Sequence, residues 1–170
     1  LTNTAISGFD TIDATAAGNN NITLDAASVA GTVAVTADAD ANLVVTEDGD
    51  YTNLQTTALQ FDSVVVNAGI TASIDATSFS GDTVALNGSA GAGTAAVTLA
   101  QQTAGVLNLG SVTEGAANAL ASVTVTGTTG DDTITSLAAI TNVALDLVVN
   151  GGNGADTITA GGDYANVITT

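Results

Sequence analysis

Gly151-Gly152-Asn153-Gly154-Ala155-Asp156-Thr157-Ile158-Thr159 contains a phrase, Asp-Thr-Ile, whose equivalents stand at Asp10-Thr11-Ile12, Asp62-Ser63-Val64, Asp82-Thr83-Val84 and Asp132-Thr133-Ile134. An acidic residue, a hydroxyl residue and then a β-branched residue, recurring in that order, imply a local geometry used repeatedly. The whole nonapeptide has a near copy at Gly127-Thr128-Thr129-Gly130-Asp131-Asp132-Thr133-Ile134-Thr135, which departs from its glycine pattern only at Thr128. A degenerate copy, Gly161-Gly162-Asp163-Tyr164-Ala165-Asn166-Val167-Ile168-Thr169, lacks the fourth-position glycine and carries Asn166 in place of the aspartate. Asp132 and Asp156 are 24 residues apart, with a strand around 143–147 between them. That spacing stacks the two turns in adjacent coils.

Outward from this segment a period-2 pattern covers most of the chain. Apolar pairs separated by one residue recur at Ile22/Leu24, Val33/Val35, Leu43/Val45, Val64/Val66, Val84/Leu86, Val97/Leu99, Leu107/Leu109, Val123/Val125 and Val143/Leu145. Single apolar centres fall between them, and the intervening segments are rich in Gly, Asn, Asp, Ala and Ser, which form turns. The pattern predicts about fifteen very short strands. Its longest interruption, Glu-Gly-Ala-Ala-Asn-Ala-Leu-Ala-Ser at 114–122, predicts a short helical turn.

Two all-β architectures fit: a parallel β-solenoid or β-roll with two short strands per coil of 20–24 residues, and an antiparallel β-sandwich. Strands of this length are shorter than sandwich strands usually are. The five aromatic residues, Phe9, Tyr51, Phe61, Phe79 and Tyr164, are too few to fill the ~10 Å gap between packed sheets. The repeated phrase also favours identical coils. The solenoid is therefore the expected fold, as one domain over 1–170. The chain starts at Leu1, without Met or a basic leader, and reads as a mature or excised part of a longer precursor.

Composition narrows the function classes. The chain carries 17 Asp and Glu and no Lys, Arg, His, Cys, Met, Pro or Trp. Nucleic-acid binding lacks the cations that neutralise phosphate. Cys and His metal sites, disulfides, Ser-His and Cys-His nucleophile pairs and lysine Schiff bases are impossible. An enzyme is not expected. No apolar run reaches the length of a membrane-spanning helix.

What remains is carboxylate, hydroxyl, amide and backbone oxygen, the ligand set of a hard cation. Glycines let the backbone turn its carbonyls toward an ion, and the aspartate adds a charged oxygen. The pattern G-G-x-G-x-D-x-U-x, met in full at 151–159, resembles the calcium-binding nonapeptide of the RTX (repeats-in-toxin) proteins. The resemblance implies Ca²⁺ held between adjacent coils by Gly127, Gly130, Asp132, Gly151, Gly152, Gly154 and Asp156. The alternative is that these residues only form turns. A second acidic group, Asp38, Asp40, Glu47, Asp48 and Asp50, is a weaker metal candidate. It opens like an EF-hand loop but has Leu43 where that loop needs Gly and Gly49 where it needs Glu.

Other signals are slighter. Asn21-Ile22-Thr23 and Asn87-Gly88-Ser89 fit the N-glycosylation triplet. Outward Thr-x-Thr pairs at 124/126, 133/135 and 157/159 could form a flat ice-binding face, but threonine is also an ordinary exposed strand residue. Glu47 and Glu114 lack the aromatic platform expected beside a glycosidase pair. Taken together, the composition and the repeats resemble bacterial surface-layer (S-layer) proteins of the RTX-secreted kind. That resemblance implies an extracellular, cell-surface structural protein that self-associates into a Ca²⁺-dependent lattice or fibre, with cell-surface polysaccharide as a further partner. The alternative is an adhesin or repeat spacer module of a large secreted protein.

Overall fold

The computed structural model describes residues 11–14, 21–37, 41–58, 61–89, 94–115, 120–138, 145–162 and 167–169. Among these residues every strand pairing is parallel, and successive strands of one sheet come from successive coils. This is the β-solenoid that the short alternating strands predict.

Three walls run along the stack. The first holds β1 (Thr11–Ala14), β3 (Val33–Ala37) and β6 (Leu54–Ala58) as one sheet, and β11 (Val106–Asn108), β14 (Thr133–Thr135) and β16 (Thr157–Thr159) as another. A 3₁₀ turn, Ala76–Phe79, packs against both β6 and β11 and bridges the two sheets. The second wall is β2 (Asn21–Leu24), β4 (Ala41–Val45), β7 (Phe61–Val66), β9 (Val84–Gly88) and β12 (Val112–Glu114). The third is β5 (Gly49–Tyr51), β8 (Thr71–Asp75), β10 (Ala96–Ala100), β13 (Ser122–Thr126), β15 (Asp146–Asn150) and β17 (Val167–Thr169), with a 3₁₀ turn at Ala26–Val29 packed under β5.

The coil differs from the expected one in its number of sides. Between β3 and β12 each coil places an element on all three walls, whereas two strands per coil are described toward the C-terminus, where 139–144 lie outside the described residues. Corners as short as Thr46-Glu47-Asp48 are enough to turn the chain, so 21 residues accommodate three sides: Leu43 pairs with Val64. The spacing lengthens to 28 where Val84 pairs with Val112. Of the expected helical turn at 114–122, residues 116–119 lie outside the described residues.

In-register pairing turns each inward position into a column. Tyr51, Ile74, Leu99, Val125 and Val149 stack across β5, β8, β10, β13 and β15, none more than 2% exposed. Ile22, Leu43, Val64 and Leu86 do the same on the second wall, and Leu107 over Ile134 over Ile158 on the first. Each fully buried Val, Leu or Ile contributes about 1.5–3 kcal/mol of transfer free energy. Because parallel strands repeat at ~4.8 Å, Val, Leu, Ile and Ala side chains fill the interior with few aromatics. The alternate positions face out, as Thr98 over Thr124 and Thr133 over Thr157 do. Among the described residues, no helix is long and apolar enough to cross a membrane.

Candidate functional site

The two best nonapeptides lie where the third wall turns into the first, and their equivalent residues stack. Thr133 pairs with Thr157, Ile134 with Ile158 and Thr135 with Thr159. The glycines make that stacking possible by absence of bulk. At Gly152, with φ +89°, a Cβ would collide with the carbonyl oxygen of Thr128 in the neighbouring coil. At Gly154, with φ +131°, it would come within 2.6 Å of the Gly130 carbonyl oxygen. Gly127 has the same relation to the carbonyl of Gly151, and Gly151 lies against the Asp156 carboxylate. The glycine pattern thus nests one backbone turn on the next.

The aspartates clasp the nested turns. Asp156 Oδ1 accepts the backbone N–H of Asp132 at 2.9 Å. Asp132 in turn accepts the Gly105 N–H through Oδ1 at 2.9 Å, and the N–H and hydroxyl of Thr128 through Oδ2 at 2.6 and 2.9 Å. Asp131 Oδ1 accepts the Ala155 N–H at 2.9 Å. Asp132 is only 2% exposed. Burial on its own pushes its carboxyl upward, but the hydrogen bonds from Thr128 and Gly105 together outweigh it and hold the group below the ordinary carboxylate range.

These partners bear on whether calcium fits here. Both Asp132 oxygens already face N–H and O–H donors, whose positive ends oppose a cation. Among the described residues, no three acidic side chains gather closely enough to hold a metal. As arranged, both Asp132 oxygens and Asp156 Oδ1 join the coils directly.

The second acidic group is dispersed. Asp38 and Asp40 lie outside the described residues. Asp48 Oδ1 accepts the Thr71 N–H at 2.7 Å, linking its corner to the next coil. Asp50 accepts the hydroxyl and N–H of Thr52 at 2.6 and 2.9 Å, and these two bonds, hydroxyl first, hold it below its ordinary range. Glu47 offers its backbone carbonyl to the Tyr51 hydroxyl at 3.0 Å. Burial, and then the nearby carboxylates of Glu47, Asp25 and Asp48, push that hydroxyl up to about 12. Asn166 of the degenerate repeat lies outside the described residues, while β17 just after it pairs with β15.

A polar corner lies beside the first nonapeptide. Gln101 is 7% exposed, and its Nε2 donates to the carbonyls of Thr103 and Gly105 at 2.8 and 3.3 Å. Its Oε1 is buried without a hydrogen-bond partner. It lines an open groove of about 570 Å³. The Gln101-Gln102 doublet, the only adjacent glutamines in the chain, was the available signal.

No protein-family model, curated protein or solved structure matches the chain. The functional reading therefore rests on these residues themselves.

Proposed function

We propose that the chain is a structural, non-catalytic module of the extracellular cell surface that associates with copies of itself into a lattice or fibre. The observation that supports this reading is the additive coil: the Asp156 carboxylate holds the Asp132 N–H while the Asp132 carboxylate holds the Gly105 N–H. The same clasp serves two successive coil interfaces, as suits a rod extended by repetition. Such a rod presents long walls of small side chains, hydroxyls and amides interspersed with Ala and Val, and no internal cation to offset its charge of −17. Two copies repel unless that charge is neutralised. Calcium enters here as the multivalent counter-ion at exposed carboxylates between copies, at the millimolar levels typical of extracellular modules. Cell-surface polysaccharide is the further partner.

Sedimentation velocity and negative-stain microscopy, with millimolar Ca²⁺ and with chelator, test the proposal. Sheets or filaments that form with Ca²⁺ and dissolve with chelator are expected. A stable monomer at high protein and high Ca²⁺ would replace the self-assembly reading with the spacer or adhesin module, for which an additive coil is equally suited.

A further inference from the structure

The groove at the corner after β10, β13 and β15 is built from neutral polar groups on three successive coils. Register places Ala100, Thr126 and Asn150 in one column. Backbone bonds from Gln101 N to Thr126 O at 2.8 Å and from Gly127 N to Asn150 O at 2.7 Å carry the ladder into the corner. Gln101 and Gln102 come from the first of these coils, Thr128 and Thr129 from the second, and Asn150 and Asn153 from the third, over glycine backbone. Gln102, Thr129 and Asn153 are exposed.

The lining chooses its ligand by what it contains. An anion would find no cationic side chain anywhere in the chain and a net charge of −17 against it. A hard cation would find no carboxylate among the lining residues. Primary amides and hydroxyls each offer donor and acceptor capacity, which matches a ligand whose groups also do both. Gln101 braces the corner. Its Nε2 bonds to the Thr103 and Gly105 carbonyls hold the amide inward and its Oε1 is enclosed, so recognition falls to the exposed Gln102, Thr129 and Asn153. The volume, about 570 Å³, lies within the ~300–1,000 Å³ range of small-molecule sites.

We propose that this groove binds a segment of neutral polysaccharide lying along the solenoid axis, with the exposed side chains of Gln102, Thr129 and Asn153 exchanging hydrogen bonds with sugar hydroxyls directly or through bridging waters. A chain in that direction meets a new polar side chain at every coil, about every 4.8 Å. The proposal takes its setting from the surface-module reading above, but binding does not require assembly.

The test is calorimetric or NMR titration of the monomer in chelator with cellohexaose, maltohexaose and chitohexaose, with glucose as the small-sugar arm. At least one hexasaccharide is expected to bind at millimolar Kd or tighter, glucose more weakly, and the double variant Gln102→Ala/Asn153→Ala about tenfold or more weakly, with an unchanged melting curve. Asp62→Asn, on the exposed face of β7, should bind as the unaltered protein does. Absence of binding by all three hexasaccharides overturns the proposal, as does equal binding by the double variant. Glucose binding as tightly as the hexasaccharides overturns the polymer assignment. Assembly with Ca²⁺ is scored on the same variants, so a failed sugar site and a failed self-assembly reading give different results.

Discussion

The carboxylate of Asp156 accepts the backbone N–H of Asp132 at 2.9 Å, while the carbonyl of Asp132 accepts the N–H of Thr157 at 2.8 Å. Both backbone groups of Asp132 are thus satisfied by one neighbouring coil, one through the strand ladder and one through a side chain. The aspartate extends parallel-sheet bonding around a corner where the ladder alone would leave a donor unpaired.

Asp156→Ala removes that acceptor and leaves the Asp132 N–H without its partner. The cost of an unmade buried bond is about 1–3 kcal/mol. In a domain of this size that corresponds to a fall of roughly 2–4 °C in melting temperature per kcal/mol. Thermal denaturation followed by circular dichroism reads the difference, and an unchanged melting curve would show that water replaces the carboxylate at no cost.

Asp132 gives the clasp a pH dependence of definite sign. Its carboxyl is held below the ordinary range in the folded protein, so its stabilisation is fully present above the unfolded value near 3.8. It is lost as pH falls through the lower folded value. Asp132→Asn should therefore be less stable than the unaltered protein at neutral pH, by about 1.5–3 kcal/mol for bonds to a charged acceptor. The gap should close only in strong acid. A gap independent of pH would mean that the charge of Asp132 contributes nothing.

Gly152→Ala tests the nesting of the turns. The φ of +89° costs a side-chain-bearing residue about 1–2 kcal/mol, and the added methyl meets the Thr128 carbonyl besides. A loss above 2 kcal/mol, roughly, is expected. Gly31, where a Cβ would meet nothing within 4 Å, is the control and should tolerate alanine. Equal effects at the two glycines would refute the close-approach argument.

Tyr51 should report the integrity of its corner in alkali. Its hydroxyl, pushed up to about 12, donates to the Glu47 carbonyl among neighbouring carboxylates. With the folded value above the ordinary 10.0, the stability it contributes is complete below pH 10 and disappears as pH rises toward 12. Ultraviolet titration should show this tyrosine ionising together with unfolding, and Tyr51→Phe should remove that step.

The alternating apolar pairs made the strands legible, because Val97/Leu99 and Val123/Val125 could bury only one face. The 24-residue interval correctly placed Thr133 against Thr157 in adjacent coils. The number of walls was less visible, since strand periodicity does not reveal which corners fold the chain back. Phrases such as Asp62-Ser63-Val64 and Asp132-Thr133-Ile134 fall on different walls. The 3₁₀ turn at Ala76–Phe79 depends on the Asp75 carboxylate accepting the Thr77 N–H at 2.9 Å, a local choice hidden inside an otherwise strand-like pattern. At the site, spacing identified which aspartates stack but not whether their oxygens face an ion or an N–H, because both arrangements use the same residues. The Gln101 groove is assembled from three coils and leaves no contiguous motif.

If calcium acts between copies while N–H groups occupy the Asp132 carboxylate, the ion and the clasp are separate contributors to stability and association. Asp132→Asn should then start from a lower melting temperature yet show the same Ca²⁺-induced rise, and the same Ca²⁺ threshold for assembly, as the unaltered protein. Neutralising exposed carboxylates on the walls, such as Asp62 and Asp146, should act in the opposite way, leaving the starting melting temperature nearly unchanged and lowering the Ca²⁺ needed for association. Parallel melting and sedimentation series over a Ca²⁺ titration measure all four quantities. A Ca²⁺ response that vanishes with Asp132→Asn while surviving in the wall variants would return the ion to the nonapeptide, with the carboxylate exchanging its N–H donors for metal.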